Sequence, residues 1–397
     1  MNLFRGRQLK NIKLILLIFI ACLNLRMSIQ SIPPVINLIQ DDLNLSNVQS
    51  SFLTSIPVMC MGIFAFLVNR FKKKLGFNKS LLILLVLLGL FTLFRGMFPM
   101  YLLMIISTLG VGFCIAIIGP LISGFIKKEF PKNTGLLIGI YSLSMGLVAV
   151  IASGSVLSLT NLVNTWTIAI SIWGIIPIFA ALVWWFLLQR NSTQNEENID
   201  SVKLPLKNIN AWLLVIFFML QSGLFYGVAT WLVSFLKTIH WNDHSNIVAL
   251  TTFTATQMIF SFVIPSLLDK YFSVNVWILV CNVILIIGSL LILLTNVSIS
   301  VLVGIIFIAI ATGGLFPIAM VLPINMTSTP SDTSSWTSLV QGFGYIFAGF
   351  VPIFMGLMND KFQSKLLFPS EIILISILLL LFSLIIVKQR NKRELNF

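Results

Sequence analysis

The chain has 397 residues, of which 58% are hydrophobic and only 9% are charged. An ordinary soluble domain carries about 25% charged residues, and no core of this chain length could hide 33 Phe and 9 Trp from water. The composition therefore excludes a soluble globular protein and indicates an integral membrane protein. A net charge of +13 would suggest nucleic-acid binding in a soluble protein. Here the cations occur in short segments between apolar runs, so they indicate membrane topology and not a nucleic-acid surface.

Twelve apolar segments follow one another along the chain, each close to the roughly 20 residues that a spanning helix needs. Six in the first half lie near residues 12–36, 48–68, 80–98, 100–126, 134–158 and 164–188. Six in the second half lie near residues 210–236, 246–268, 274–295, 299–325, 334–358 and 369–387. The first segment has no small-residue cleavage site after it, so we expect it to be retained as a span. The pattern predicts an all-α membrane protein with twelve transmembrane helices.

One long polar connection, residues 189–209, falls in the middle of the chain and is rich in Asn, Glu and Gln. We therefore expect an N-terminal six-helix bundle over residues 1–188, a cytoplasmic linker over 189–209 and a C-terminal six-helix bundle over 210–397. The turns after helices two and eight, LVNRF and LLDKY, share the order of an amide or acidic residue, a cation and an aromatic residue. Two such pseudo-repeats are typical of transporters that rock about a midplane site.

Most of the 25 Lys and Arg residues lie in the two termini and in alternate loops. By the positive-inside rule this distribution predicts that both termini are cytoplasmic, in a multi-pass protein of a bacterial cytoplasmic membrane. Four cysteines fall inside apolar segments without paired spacing, so they are expected to be free and buried: Cys22, Cys60, Cys114 and Cys281.

The sequence predicts no metal and no other cofactor. His240 and His244, with Asp243 between them, have a metal-like spacing, but they lie in a predicted outer loop without a third ligand. A solvated turn is therefore favoured there. The run GFNKS lacks the GK[ST] order of a Walker A motif, so ATP is not expected to drive the protein.

The turns after helices two and eight also carry the degraded remains of a motif. A Gly-x-x-x-Asp-Arg-x-Gly-Arg-Arg type turn is the hallmark of the major facilitator superfamily, and here it reads Asn69-Arg70 in the first copy and Asp269-Lys270 in the second. The chain thus resembles that superfamily, which implies a transporter and not an enzyme. The resemblance implies that these four residues act in gating or conformational change, with a charge pair weakened by Asn69.

Within the superfamily the chain is similar to the cyanate permease branch, which includes 2-nitroimidazole transporters. The blocks that carry the similarity are spread over both halves: NLRMSIQSIPPVINLIQDDLNLS, LTSIPVMCMGIFAF, FPKNTGLLIGIYSLSMG, QSGLFYGVATWL and QGFGYIFAGFVPIFMGLMND. The branch implies cyanate-like or small organic anions as solutes, with neutral 2-nitroimidazoles as another possibility. Trp166 lacks the Arg that usually follows it in that branch, and the Gly-Pro-x-x-Gly-Gly motif of drug/proton antiporters is absent from helix five.

Arg26 is the cation predicted to carry the chemistry. At 1.5 Å per residue it lies about 20 Å beyond Lys13, in the middle or outer half of the hydrocarbon, at a cost of about 2.5–3.5 kcal/mol. The 12 acidic residues lie in loops, tails or helix ends, so an anion is its natural counter-charge. Cys22, Arg26, Gln30 and Pro33 share one helix face. Either Arg26 and Gln30 bind a small anion, or Arg26 caps carbonyls of a neighbouring helix.

Several uncharged polar residues are predicted to line the same cavity or, alternatively, to form interhelical hydrogen bonds worth about 1 kcal/mol. Those selected as candidate substrate-binding residues are Tyr141, Gln221, Tyr226, Gln341 and Tyr345. Arg95 lies about 24 Å beyond Lys79 along its helix, so it is expected to snorkel to the membrane interface. The alternative for Arg95 is an electropositive funnel at the outer mouth.

These observations predict a monomeric secondary active transporter that moves a small anionic or weakly acidic solute by alternating access. Its partners are the solute and the lipid bilayer, not nucleic acid. One alternative is an exporter of small aromatic or apolar compounds, such as nitroimidazoles or drugs, recognised by Phe- and Met-rich walls. A membrane-embedded enzyme acting on lipid is disfavoured, because the loops are short and the carboxylates are scattered.

Overall fold

The computed structural model describes residues 2–130, 134–188, 204–268, 273–295, 297–327 and 330–394, which form helices and turns without a strand. The helices of the first half are α1 (Asn2–Gln30), α2 (Ile36–Leu43), α3 (Asn47–Ile63), α4 (Val68–Met97), α5 (Tyr101–Glu129), α6 (Thr134–Val163), α7 (Trp166–Ser171) and α8 (Ile175–Leu188). Those of the second half are α9 (Ile209–Thr238), α10 (Asp243–Leu268), α11 (Val274–Leu294), α12 (Ser298–Asn325), α13 (Pro330–Ala348), α14 (Phe350–Phe362) and α15 (Leu367–Glu394).

Eleven segments of the described chain are long and apolar enough to cross a membrane. The twelfth helix expected from the sequence is α3, which has 17 residues and so lies at the short limit of about 17 residues for a span. Large apolar side chains remain exposed on the helices, among them Leu102 at 66% and Ile299 at 74%, and lipid is the solvent that suits them. The all-α membrane fold predicted from the sequence is confirmed.

Specific residues interrupt the first-half helices. The α-helical conformation of α1 ends shortly before Pro33 and Pro34, which carry no N–H for a helical hydrogen bond. Asn164 takes a left-handed conformation (φ 55°) and ends α6. The Thr165 hydroxyl then accepts a hydrogen bond from the Thr167 backbone N–H and caps α7.

The stretch between the second and third predicted spans is helical and not a loop. Helix α4 begins at Val68, well before the predicted start of its span near residue 80. Gly76 supplies the interruption, because its φ of 72° and ψ of 168° lie in a region that is accessible to glycine and rarely to other residues. The exposed cations Arg70, Lys73 and Lys74 therefore lie in the part of α4 that precedes this interruption.

Packing contacts divide the chain into two compact units, 1–35 with 64–199 and 36–63 with 200–397. The six-helix bundles expected by chain order place residues 36–63 in the first half, whereas the contacts group α2 and α3 with the second unit. The linker expected at 189–209 is described only from residue 204 onward. The pseudo-repeat division at 1–188 and 210–397 stays a prediction.

In the first unit, α4 packs against α5, α7 and α8, while α1 packs against α6 and α8. Gly89 and Gly174 allow the close approach of α4 to the turn before α8. A Cβ atom on Gly89 would lie 2.7 Å from the Gly174 carbonyl oxygen, and one on Gly174 would lie 2.6 Å from the Gly89 oxygen. Only residues without side chains let two helix backbones meet this closely.

In the second unit, α9 is the central helix, with 21 of its 30 residues buried. It packs against α10, α12, α13, α14 and α15, which explains why its sequence is apolar on every face. Helices α11 and α12 approach each other at Gly288 and Gly304, where a Cβ on either residue would lie 2.8 or 2.7 Å from the other's carbonyl oxygen.

Helix α3 joins the second unit through three glycines spaced seven residues apart, Gly342, Gly349 and Gly356, which we call the glycine seam. Gly62 of α3 abuts the carbonyl oxygen of the first of them. A Cβ on Gly349 would lie 3.1 Å from the Ser55 oxygen, and one on Gly356 would lie 2.8 Å from the Asn47 oxygen. The backbones of α3, α13 and α14 are therefore in near contact along the length of α3.

The N-terminal end of α3 is capped by a carboxylate from α14. One Asp360 oxygen accepts hydrogen bonds from the Asn47 backbone N–H and side-chain amide, both at 2.8 Å, and the other accepts from the Val48 backbone N–H at 2.9 Å. Gln40 at the end of α2 donates to the Asn47 side-chain oxygen at 2.9 Å and to the Ser50 hydroxyl at 2.8 Å. A negative charge at a helix N-terminus also interacts favourably with the helix dipole.

The four cysteines are all buried and free, as predicted. One acidic residue differs from expectation, because Glu371, which the sequence assigns to a helix end, lies in the second turn of α15 and is 8% exposed. Its Oε1 atom has no hydrogen-bond partner among the described residues. A carboxyl group is therefore enclosed in a spanning segment, contrary to the expectation that acidic residues stay in loops, tails and helix ends.

Candidate functional site

Helix α1 presents the polar face predicted from the sequence. Arg26 is partly buried and is engaged with other groups of the protein. Gln30, one turn further on, is 2% exposed, and its side-chain nitrogen has no hydrogen-bond acceptor among the described residues. Cys22, one turn before Arg26, is fully buried. A buried amide donor without an acceptor is costly. A bound ligand with an acceptor atom would supply the missing hydrogen-bond partner of Gln30.

Tyr141 lies on α6, the helix that packs along α1 in the first unit. It is partly buried, and its hydroxyl would lie 3.2 Å from a Cβ atom on Gly119 of α5. The absence of a side chain at Gly119 thus makes room for the phenol between the two helices. The structure places Tyr141 in the same unit as Arg26 and Gln30.

Arg95 does not snorkel to the interface, and that expectation is wrong. The side chain is 1% exposed. Its Nη1 donates to the Ser28 carbonyl oxygen at 2.7 Å and its Nε donates to the Ser107 hydroxyl at 3.4 Å, while Nη2 has no partner among the described residues. The side chain turns inward because carbonyl oxygens of the final turn of α1 are available as acceptors.

Three residues around Arg95 were not among those that the sequence singled out. Ser28 receives a second contact from α4, since its hydroxyl lies 2.8 Å from the Thr92 hydroxyl. The Ser107 hydroxyl donates a hydrogen bond to the Met104 carbonyl oxygen at 2.9 Å, so its own oxygen can accept one from Arg95. The available signal was the i, i+3 spacing of Thr92 and Arg95, which puts both on one face of α4.

On α9 the predicted polar residues are buried in the second unit. Gln221 and Ser222 are hydrogen-bonded to each other through the amide nitrogen and the hydroxyl. Tyr226 is nearly buried, and its ring meets the Phe225 ring edge-on at 5.2 Å. One turn further along, the Thr230 hydroxyl donates to Thr54 of α3 at 3.0 Å, which is the interhelical bond that was the alternative to a cavity role.

Helix α13 carries Gln341 and Tyr345 on the face toward α9 and α12. The Gln341 amide donates to the Met320 sulfur at 3.3 Å, which is a weak acceptor. The Tyr345 ring meets the Phe218 ring edge-on at 4.9 Å, and Phe218 also lies 6.2 Å from the Phe316 ring. The structure thus brings two predicted residues together beside an aromatic group, whereas Gln221 and Tyr226 lie further along α9.

The predicted gating residues are described only in part. Asn69 and Arg70 lie in the first turn of α4; Arg70 is exposed, and the Asn69 side chain is outside the described part. Asp269 and Lys270 lie outside the described residues. Within the described ranges no group of three or more His, Cys, Asp or Glu side chains is arranged to hold a metal ion; Asp243 of the HWNDH turn pairs with Lys237 at 3.4 Å.

Comparison with known families accounts for this arrangement of helices. The sequence profile of the Major Facilitator Superfamily matches residues 14–253 and 237–396. The chain belongs to that superfamily. A relative of this superfamily member, the uncharacterized transporter YycB of Bacillus subtilis (strain 168), is 30% identical over 358 residues, which cover 88% of this chain and 86% of YycB.

Two further relatives have named solutes. The cyanate transport protein CynX of Escherichia coli (strain K12) is 23% identical over 351 residues, covering 87% of this chain and 90% of CynX. The 2-nitroimidazole transporter of the same strain is 28% identical over 216 residues, covering 53% of this chain and 54% of that protein. The resemblance to the branch that contains these two proteins, inferred from the sequence blocks, is confirmed.

Solved structures of the superfamily share the fold. A bacterial homolog of the human lysosomal transporter Spinster, in an inward-facing and unoccupied conformation, superposes with a TM-score of 0.76 at 16% identity over 96% of each chain. A D-xylose–proton symporter superposes with a TM-score of 0.72 at 13% identity, over 93% of this chain and 97% of the symporter. At these identities the similarity establishes the fold alone. Membership of the superfamily, shown by the sequence profile, makes this chain a multi-pass membrane transporter of a small-molecule solute.

Proposed function

We propose that this protein is a secondary active transporter of a small anionic or weakly acidic solute, with Arg26 and Gln30 as its principal substrate-binding residues. The solute class is that of cyanate and small organic anions, and transport proceeds by alternating access without a bound cofactor. Tyr141 in the first unit, and Gln221, Tyr226, Gln341 and Tyr345 in the second, are proposed as additional substrate contacts. No step of catalysis is required of any of them.

The observation that carries this proposal is the α1 face. A guanidinium that is only partly buried and a buried amide nitrogen without an acceptor follow each other at one-turn spacing in a spanning segment. Side chains one turn apart lie about 5–6 Å from each other at Cβ, which suits simultaneous donation to one small acceptor. Hydrogen bonds from a charged donor to an anion are about twice as strong as neutral ones.

The chemistry of the relatives supports the same solute class. Cyanate, the solute in the name of CynX, is a small anion that offers only acceptor atoms to a protein. Arg26 offers a planar fork of N–H donors and a positive charge, and Gln30 adds a neutral donor. Binding of such an anion would also neutralise a cation held in the membrane, which lowers the cost of moving the loaded site through the transport cycle.

The test is counterflow in proteoliposomes with labelled cyanate, small carboxylates and 2-nitroimidazole. We expect Arg26→Gln to reduce uptake of the transported anion, as Vmax/KM, by about 10- to 100-fold, the loss that follows from removing a charged hydrogen-bond donor. Arg26→Lys keeps the charge without the fork and should retain more activity than Arg26→Gln. Lys365→Gln, which removes an exposed cation between α14 and α15, is the matched control.

Anion counterflow that is unchanged in Arg26→Gln, at equal protein incorporation, would contradict the proposal. So would a panel in which the wild-type protein carries 2-nitroimidazole and none of the anions. Loss of activity in Lys365→Gln equal to that in Arg26→Gln would point to surface charge and not to a binding site.

The second candidate function is export of small aromatic compounds. The 2-nitroimidazole transporter among the relatives and the ring cluster of Phe218, Phe316 and Tyr345 beside Gln341 favour it. In that case Arg26→Gln should leave 2-nitroimidazole transport intact, while Tyr345→Ala should weaken it. The same counterflow panel therefore separates the two functions.

Three further parts of the proposal concern gating, orientation and assembly, and the sequence motifs and charge bias support the first two. Asn69, Arg70, Asp269 and Lys270 are proposed to act in the conformational change, in the positions of the superfamily turn. Both termini are proposed to lie on the cytoplasmic side of a bacterial cytoplasmic membrane, and the protein is proposed to act as a monomer.

A further inference from the structure

Arg95 is a fully enclosed cation in the spanning segment Lys73–Met97. Within the described residues it donates hydrogen bonds to one carbonyl and one hydroxyl oxygen, and it forms no ion pair there. Burying a guanidinium in a membrane protein is expensive, and leaving one of its nitrogens unpaired adds to that cost. A guanidinium buried at this cost requires an interaction that offsets the cost, and its presence suggests a functional role.

Two helix ends supply the compensation. Arg95 lies in the last turn of its own helix, α4, and it donates to Ser28, which lies in the last turn of α1. Each helix C-terminus carries a partial negative charge and carbonyl groups without intrahelical partners. The guanidinium thus takes the place at which these two ends converge, and it does so without a carboxylate.

The contact with Ser28 is double. Arg95 holds its carbonyl oxygen, and Thr92, one turn earlier on α4, holds its hydroxyl at 2.8 Å. Two contacts on one residue, from two side chains of one neighbouring helix, restrict rotation of α1 about its axis at this level. Arg26 and Gln30 stand two residues before and two residues after Ser28, so the rotation that is restricted is the one that aims them.

We infer that Arg95 is a positioning residue for anion binding: it fixes the end of α1 through Ser28 and so sets the direction of Arg26 and Gln30. This inference rests on the proposed function for its effect on transport, but its geometric part does not. The positive charge of Arg95 has a second effect in addition to this hydrogen bond. It adds a second fixed charge behind the site, which favours anions over neutral solutes.

The transport test compares Arg95→Gln, Arg95→Lys and Arg26→Gln, with labelled cyanate as the charged probe and 2-nitroimidazole as the neutral one. Arg95→Gln should raise the KM for the anion about tenfold and leave the Vmax within about twofold, while uptake of the neutral probe changes little. Arg95→Lys should restore the KM, since it keeps the charge. A defect of packing alone would instead lower the amount of folded protein and the Vmax for both probes equally, and that result would overturn the inference.

A second readout needs no substrate. Cys22 lies on the same face of α1 as Arg26 and is fully buried. The rate at which N-ethylmaleimide alkylates it therefore reports whether α1 keeps its orientation. The measurement uses protein whose other three cysteines are changed to Ser. We expect slow labelling in the parent protein and in Arg95→Lys, and labelling at least several-fold faster in Arg95→Gln. Thr92→Val, which removes the second contact without touching the charge, should give a smaller increase.

The outcomes of the two inferences are separable. If the parent protein carries no anion, or Arg26→Gln leaves anion uptake intact, the proposed function fails, and Cys22 labelling still decides whether Arg95 fixes α1. If Arg26→Gln abolishes anion uptake while Arg95→Gln leaves both the KM and Cys22 protection unchanged, the proposed function stands and the positioning role is overturned.

Discussion

At the scale of single residues, three polar side chains of this protein satisfy backbone groups at helix ends. Asp360 caps α3, Thr165 caps α7, and Arg95 meets the end of α1. Groups at helix ends have no intrahelical partner, and in a membrane no water replaces one. A side chain that supplies the missing donor or acceptor is therefore worth more than the same side chain in mid-helix.

Removing the Asp360 carboxylate should destabilise the start of α3. Asp360→Ala removes three hydrogen bonds from the start of α3 and should lower the free energy of unfolding in detergent by about 1–2 kcal/mol, the usual range for losing a cap. Asp360→Asn keeps one acceptor oxygen and should lose less. Thermal unfolding of the purified protein measures both.

Asp41→Ala is the control, because Asp41 is exposed at the end of α2 and has no part in the cap. A melting temperature that falls equally for Asp41→Ala and Asp360→Ala would mean that the loss of negative charge, and not the cap, is responsible. No change in either variant would mean that the bonds seen at Asn47 and Val48 add nothing to stability.

The sequence predicts depth along a helix better than it predicts direction around it. The rise of 1.5 Å per residue correctly placed Arg95 near the end of its span, but the inward turn of the side chain depends on Ser28, 67 residues earlier in the chain. Gln30 was identified because α1 is regular and the polar stripe could be counted. Tyr345 could be assigned to a polar face, but its ring contact with Phe218 depends on how α13 lies on α9.

At the scale of helices, the glycine seam explains why a helix of only 17 residues is held firmly. Gly349 and Gly356 remove the side chains that would otherwise separate α14 from α3. In a membrane, association between helices depends on close packing, because lipid is as apolar as the helix surface. The seam brings the backbones together, and the Asp360 cap fixes the position along the helix axis.

Gly356→Ala tests the seam. The added Cβ would lie 2.8 Å from the Asn47 carbonyl oxygen and 3.0 Å from the Trp231 ring, and neither a helix backbone nor a buried indole can yield easily. We expect a loss of about 1–3 kcal/mol, which is typical of overpacking, measured by thermal unfolding. Gly124→Ala is the matched control, since a Cβ there meets nothing within 4 Å and Ala is the better helix former.

The expected signs are thus opposite for the two substitutions, with Gly124→Ala neutral or stabilising by up to about 1 kcal/mol. Equal destabilisation by both would attribute the loss to glycine replacement in general and remove the case for the seam. The sequence predicted that glycines permit close approach, but it could not say which helices would meet. The seven-residue spacing is visible in the sequence, whereas the partner helix is not.

At the scale of the whole molecule, hydropathy predicts the number of apolar spanning segments and their order. The twelve apolar segments of the sequence correspond to α1, α3 to α6, α7 with α8, α9 to α12, α13 with α14, and α15. The grouping of α2 and α3 with the second unit could not be predicted, because chain order carries no information about which helices pack together. The short breaks at Ser171–Ile175 and Ala348–Phe350 were also missed, since each lies within one continuous apolar run.

The membrane orientation can be tested by labelling two exposed positions on opposite sides of the membrane. With both termini cytoplasmic, the end of α2 faces outward and the start of α4 faces the cytoplasm. A membrane-impermeant maleimide should label Asp41→Cys in intact cells and label Lys74→Cys only after permeabilisation; both positions are exposed. The native cysteines are buried and should give little background. The reverse pattern would invert the orientation and place the Arg26 end of α1 nearer the cytoplasm.

Helix α3 belongs to the first half of the chain by position but packs with the second half, and this has a consequence for how the protein is made. A polypeptide that ended at the central linker would insert α3 with its Gly62 notch facing lipid and its first backbone N–H groups lacking the Asp360 carboxylate. A fragment that began at the linker would present the complementary groove without a helix to fill it. Each half is therefore an incomplete folding substrate, and ribosomal synthesis of the second half completes the burial of a segment translated long before it.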